Sequence, residues 1–136
     1  MNQPVFFYDH FMSGMKRYEF PGLGFYRVKN EPARVSGRLF VSGDDPAMVA
    51  SEKGDDYVAG ELHYFTDTEK VLKITDRIEK CNSKNPEKGR HVRVMVQAYP
   101  EGSKIPVQAW AYIFNGDIKG LRRIASGNWR DEAPRA

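Results

Sequence analysis

At 136 residues, 40% hydrophobic and 12% aromatic, the chain is long enough for one well-buried core and too short for two ordinary domains. A domain of this length buries roughly 70% of the surface its unfolded chain exposes and needs neither metal nor disulfide to stay folded; its single cysteine, Cys81, excludes an intramolecular disulfide. The 21 Lys and Arg against 18 Asp and Glu give +3 and a pI near 9.0, a mild bias towards anionic partners that small carboxylates satisfy as well as nucleic acid does. The lone thiol and the lack of a basic leader or long apolar run near Met1 argue against secretion and membrane insertion, so a cytoplasmic protein is expected.

Short β-type runs between Gly and Pro punctuation, with one clear helix, predict an α+β class dominated by β. Val5 to Tyr8 is a continuous apolar and aromatic run suited to a buried strand. It ends in a polar loop with Asp9, His10, Ser13 and Gly14, the kind of segment in which functional residues often sit. Gly22-Leu23-Gly24 has no phosphate-loop or dinucleotide pattern around it and reads as a turn. Val35 to Val41 and Tyr57 to Phe65 read as strands that share Val-x-Gly-x-Leu, at Val35, Gly37, Leu39 and at Val58, Gly60, Leu62; two copies are too few for a repeat architecture. Between them, Gly43 to Asp56 fits a loop or a short excursion. His91 to Tyr99 alternates, with Val92, Val94 and Val96 on one face, and after a turn at Pro100 to Ser103 the run Ile105 to Phe114 returns as a hairpin strand. Pro106 cannot donate to a ladder and belongs at that strand's start or on an edge. No linker interrupts residues 1–130, read as one domain, and the polar tail 131–136 is expected to fray.

The helix is predicted from about Asp67 to Cys81, with Thr66 and Glu69 at capping-box spacing. On a wheel of about 100° per residue, Val71, Leu72, Ile74, Thr75, Ile78 and Cys81 form the buried face. The charges Glu69, Lys70, Lys73, Asp76, Arg77 and Lys80 gather on the other side. Glu79 does not: it lands at roughly 80° from Val71, between Thr75 and Leu72, the one charge inside the apolar arc. Two readings follow. A desolvated carboxylate has a raised pKa and becomes a usable acid and base near neutral pH; alternatively Glu79 lies on the margin of a wide arc and reaches solvent at the helix end.

Around Glu79, Ile74-Thr75-Asp76-Arg77-Ile78-Glu79 resembles the Leu-Asp-x-x-Glu-Gly helix segment of the γ-glutamyl cyclotransferase-like family, with Lys80 in place of the usual Gly. Val5-Phe6-Phe7-Tyr8 with Phe11-Met12-Ser13-Gly14 looks like that family's first strand and its Tyr-Gly-Ser/Thr-Leu loop. Gly37-Arg38-Leu39-Phe40 followed by Pro46-Ala47, the strand Val58-Ala59-Gly60-Glu61-Leu62-His63-Tyr64, and Ser126-Gly127-Asn128-Trp129 match further segments in the same order, over most of the chain. The resemblance implies a mixed sheet curled into a partial β-barrel, with flanking helices and a pocket at its mouth. It also implies a metal-free, cofactor-free reaction in which a γ-glutamyl amine or amide cyclises to 5-oxoproline and releases an amine. The substrate's own α-amino group attacks, and Glu79 acts as general acid and base. The loop Tyr8, Asp9, His10, Phe11 would hold the substrate through backbone N–H groups, with Arg90 and Trp129 as pocket-lining candidates.

The family's Gly-Ser/Thr pair is Asp9-His10 here. An inward Asp9 repels a substrate carboxylate; with Asp9 outward, a protonated His10 adds positive charge to the pocket, or else His10 is a solvated loop residue. Gly89-Arg90-His91-Val92 keeps the Arg of a family Tyr-x-Arg but has Gly89 for Tyr. These departures leave an active enzyme with altered preference, a noncatalytic relative that binds a small carboxylate-containing ligand in the same pocket, or a loop misaligned with the family.

Other chemistries find little in the sequence. His10, His63 and His91 are dispersed without metal-ligand spacing, and a buried Cys81 is an inert thiol. Lys84, Lys88, Arg90, His91 and Arg93 cluster, and Arg122, Arg123 and Arg130 lie near Trp129, as in a single-strand platform, but Glu87 interrupts the cluster and the charge excess is small. The expected partner is a small molecule, neither nucleic acid nor membrane, and the oligomeric state is open.

Overall fold

A computed structural model describes residues 2–51, 54, 56–82 and 84–132. Its strands are β1 (Val5–Phe7), β2 (Arg27–Ser42), β3 (Asp45–Ala50), β4 (Tyr57–Phe65), β5 (His91–Pro100), β6 (Val107–Phe114) and β7 (Arg122–Ile124). The helices are a single turn, α1 (Leu23–Tyr26), and the longer α2 (Thr68–Ile78), with 3₁₀ turns at Pro86–Lys88 and Trp129–Asp131. No described helix is long and apolar enough to cross a membrane.

The all-apolar β1 is buried because it lies between two partners, antiparallel to β4 (Phe6 opposite Leu62) and parallel to β6 (Val5 opposite Trp110). The β5–β6 hairpin continues the sheet, and β5 returns to β2 with Arg34 opposite Tyr99, so β2–β4–β1–β6–β5 closes on itself. The barrel is therefore closed where the family resemblance implies a partial one. β2 is 16 residues long and outruns it. Its far end, Leu39 to Val41, lies between β3 (Leu39 opposite Met48) and β7 (Leu39 opposite Ile124) in a second small sheet.

Sequence and structure differ most around β2. Arg27, Lys29, Glu31 and Pro32 hide the first half of this strand, whose register comes from its long ladder with β4. The segment read as a loop or excursion after Gly43 contains β3, and β7 carries no alternation at all in its three residues. The shared Val-x-Gly-x-Leu pattern has a steric cause. Val35 and Val58 are direct cross-strand partners, and each glycine admits a neighbouring strand: a Cβ on Gly37 would lie 2.8 Å from the Val49 carbonyl, and one on Gly60 would run into the Phe7 carbonyl and the Phe6 ring.

α2 packs Thr68, Val71, Leu72 and Thr75 against the barrel. Its N-cap is Asp67, which accepts from Lys70 N at 3.2 Å, one residue later than the Thr66 box predicts. The Tyr112 hydroxyl on β6 lies 2.6 Å from both Thr75 Oγ1 and Asp76 Oδ1, and Arg93 on β5 grips Asp76 through Nε (2.8 Å) and Nη2 (3.2 Å), which locks the end of α2 onto the hairpin. Cys81 is half-buried beyond it, and burial pushes its thiol up to about 12. Of the expected frayed tail, Asp131 belongs to a 3₁₀ turn and Glu132 pairs with Arg122 at 2.9 Å, while residues 133–136 lie outside the described residues.

Candidate functional site

β1 delivers the chain at the mouth of the barrel, where the loop after Phe7 folds tightly. Tyr8 stays inside and donates its hydroxyl to the Tyr112 carbonyl, and burial holds its phenol protonated. The Asp9 carbonyl accepts from Met12 N (3.1 Å) and its carboxylate from Phe11 N (3.2 Å). The loop is then fastened from outside by Glu61 of β4, which accepts from Ser13 N at 2.7 Å and Ser13 Oγ at 2.6 Å. Glu61 also meets His63 Nε2 at 3.0 Å and Arg130 Nη2 at 3.3 Å. Because Arg27 Nε, a donor, faces His63 Nδ1 at 3.4 Å, the His63 proton sits on Nε2 and is given to Glu61. Burial alone would raise the Glu61 pKa, but these donors hold it down at about 2, so Glu61 is a charged anchor for the loop near neutral pH.

Glu79 occupies the C-cap of α2. The helix stops in a Schellman arrangement, with Cys81 N bonded to the Asp76 carbonyl (2.9 Å) and Lys80 N to the Arg77 carbonyl (3.2 Å), which requires Lys80 to adopt φ 57°. Lys80 thus stands in the left-handed conformation that the resembling family assigns to Gly. Ending the helix here turns the Glu79 side chain inward, where the residue is 6% exposed. His91 at the start of β5 braces it. Nδ1 lies 2.8 Å from the Glu79 carbonyl, an acceptor, which fixes the proton on Nδ1, and 3.4 Å from Oε2. Burial pushes the His91 pKa below its usual range, so this contact is with a neutral imidazole. Oε1 of Glu79 is buried without any partner. Desolvation, followed by the nearby Asp9 carboxyl, raises the Glu79 pKa well above the ordinary carboxylate range.

Asp9, Arg17, Asp45, Glu79, Arg90 and His91 line one cavity of about 130 Å³. Of the residues picked from the sequence, Asp9, Glu79 and Arg90 meet there; Tyr8, His10, Phe11 and Trp129 are not in its wall. Asp9 takes the inward of its two alternatives. Its carboxylate also occupies the Phe11 N–H, so that donor is not free to hold a substrate as the resemblance implies. His10 is neither a solvated residue nor a pocket cation. It is 5% exposed, its ring meets Trp129 edge-on with centroids 5.6 Å apart, and burial, then Lys16, lower its pKa and leave it neutral. Trp129 is buried against it. The cavity's guanidinium groups are Arg17 and Arg90. Arg17 reaches the site because its N–H bonds the His10 carbonyl at 2.9 Å, a fold-back with no periodic signature in the sequence. Asp45 arrives on the missed strand β3, beside the Pro46-Ala47 pair that the sequence does single out. His91 shows in the sequence as a strand's first residue and part of a basic cluster, not as a site residue, and Glu61 only as a matched strand position.

A sequence search of the curated proteins finds no match. Among solved structures, an AIG2-like protein from Mus musculus superposes with a TM-score of 0.74 at 18% identity, over 97% of this chain and 90% of that one. YkqA from Bacillus subtilis gives 0.69 at 21% identity over 97% of this chain, which spans only 41% of the YkqA chain. The ytfP protein of Escherichia coli gives 0.56 at 19%, over 95% and 97%. These likenesses establish the fold. The model of the family described as gamma-glutamyl cyclotransferase, AIG2-like, matches residues 5–131, and with Glu79 and the loop after β1 joined in one cavity at the barrel mouth, the chain belongs to that family.

Proposed function

We propose that the protein cyclises a γ-glutamyl amine or amide to 5-oxoproline and releases the amine, with Glu79 as the residue that moves the proton. The observation that carries this reading is the buried Glu79 carboxyl, held from one side by His91 and left with Oε1 unpartnered on the wall of a small cavity. A structural carboxylate does not keep a buried oxygen unsatisfied without reason. The resemblance to known cyclotransferases supplies the reaction.

In this reading Arg17 and Arg90 attract the α-carboxylate of the glutamyl head, while its α-ammonium enters among Asp9, Asp45 and Glu79. That cation favours the carboxylate form of Glu79 and offsets the burial that raises its pKa. After the ammonium loses one proton to solvent, the amine attacks the γ-carbonyl carbon and a five-membered ring closes. Glu79 takes the second proton from the attacking nitrogen and gives it to the departing one as the amide C–N bond breaks. The protein supplies no nucleophile. Its main contribution is to hold amine and carbonyl in a near-attack geometry.

The test is 5-oxoproline release from a panel of γ-glutamyl amino acids and amines by the wild type and Glu79→Gln, which keeps the shape and cannot accept the proton. A fall of at least about a hundredfold is expected; undiminished turnover removes Glu79 from the mechanism. One observation favours a second reading, a noncatalytic binder of a small carboxylate ligand: Asp9 brings a further carboxyl to the place where the family has Gly. In that case neither protein yields 5-oxoproline while both bind the γ-glutamyl compound.

A further inference from the structure

The cavity that holds Glu79 adjoins, across Lys80 and Arg90, a second and more open depression of about 670 Å³. Those two residues line both, and Lys84 and Lys88 are the further charged residues of the outer one. Resting on the cyclotransferase reading, we infer that this shelf receives the leaving portion of the substrate and that this portion carries carboxylates, so that γ-glutamyl acidic amino acids such as γ-glutamylglutamate are the preferred substrates. The shelf is built. Arg90 N bonds the Lys80 carbonyl at 2.9 Å, and the Asn82 side chain accepts from Lys84 N (3.1 Å) and Asn85 N (2.9 Å). Asn115 Nδ2 reaches the carbonyls of Pro86, Glu87 and Gly89 at 3.3, 3.1 and 3.0 Å. Gly89 is needed for this closure, since a Cβ there would lie 2.8 Å from Asn82 N and 2.9 Å from the Lys80 carbonyl.

The charges of the shelf stand free. Arg93, Arg122, Arg123 and Arg130 each pair with a carboxylate, whereas Lys80, Lys84, Lys88 and Arg90 pair with none among the described residues, and Glu87, on the same loop, does not line the depression. Lys80 is also the only described non-glycine residue with positive φ. Glycine would end α2 there without strain, and a lysine in this conformation places an ammonium at the junction of cavity and shelf. With Arg90 engaged by the glutamyl head, a carboxylate leaving past that junction meets the three ammonium groups of Lys80, Lys84 and Lys88, and a polyamine or lysine side chain meets like charge.

The experiment compares kcat/KM for three probes with the same glutamyl head: γ-glutamylglutamate, the uncharged γ-glutamylethylamide and the cationic γ-glutamylputrescine. The expected order is anionic, neutral, cationic, with the anionic preference shrinking as ionic strength rises. The ratio of anionic to neutral substrate falls about three- to tenfold in Lys84→Ala/Lys88→Ala, and falls again in Lys80→Gly, whose stability should rise and so excludes misfolding. The exposed pair Lys104→Ala/Lys119→Ala leaves the ratio unchanged. A flat or reversed order, or a ratio that the shelf variants do not move, overturns the proposal. Should no probe turn over, the enzyme reading fails separately, and calorimetry decides the shelf: γ-glutamylglutamate binding more tightly than γ-glutamylputrescine, with that difference lost in the double variant, supports it, and equal or absent binding ends it.

Discussion

Glu61 and Glu79 are buried to nearly the same extent, at 8% and 6% exposure, one fastening the loop after β1 and the other lining the cavity beside it. One is kept ionised and the other is pushed towards protonation. Burial is common to both, so the partners decide. Glu61 faces two donors of Ser13, the His63 N–H and Arg130, and its pKa falls to about 2. Glu79 has a weak contact with one neutral imidazole, an orphaned oxygen and Asp9 nearby, and its pKa rises. A buried carboxylate saturated with donors is a rivet, and one left wanting is available for chemistry.

Substituting each residue is the strongest way to break that comparison. Glu79→Gln should lower 5-oxoproline release by about a hundredfold to ten-thousandfold without lowering the melting temperature. Glu61→Gln should do the opposite first, costing about 3 kcal/mol in denaturant unfolding because Arg130 and the Ser13 donors lose their anion. Equal stability losses in the two variants would dissolve the distinction. The acid limb of stability sharpens it. A depressed pKa means that the Glu61 contribution is complete above its ordinary value of 4.5 and disappears as the pH falls towards 2. Glu79 has the opposite sign, since its folded-state pKa is raised. Its ionisation destabilises the fold as pH rises above 4.5, so Glu79→Gln should gain stability over wild type progressively across that range, as measured by unfolding at stepped pH. Asp9→Asn should move the acid limb of kcat/KM downward by relieving Glu79 of its neighbour's charge. The smallest effect is Lys80→Gly, which should raise stability by about 1 kcal/mol in thermal unfolding by removing the left-handed strain.

The sequence exposes Glu79 because a helix repeats every 3.6 residues and a charge inside its apolar arc breaks a rule visible in a short window. β4 and the β5–β6 hairpin are legible for the corresponding period of two. Arg17, Asp45 and His91 enter the same cavity from a folded-back loop, a short strand and a strand's first residue, and nothing local marks them; only the closure of the barrel brings them together. The reading of His10 fails for a related reason. Burial, then Lys16, lower its pKa, and part of what packs against the ring is Trp129, more than a hundred residues away in the chain.

The parallel pairing of β1 with β6 sets an order of events during synthesis. Val5 waits for Trp110, and Tyr8 for the carbonyl of Tyr112, so β1 has only one of its two flanking partners until β6 has left the ribosome. β4 can shelter one edge of it early, through Phe6 and Leu62, but the other stays open. Contacts of such long sequence separation make for slow folding. The loop bearing Asp9 therefore reaches its final position late, and a ribosome-bound chain truncated before β6 should carry α2 and its glutamate without the cavity that gives that glutamate its character.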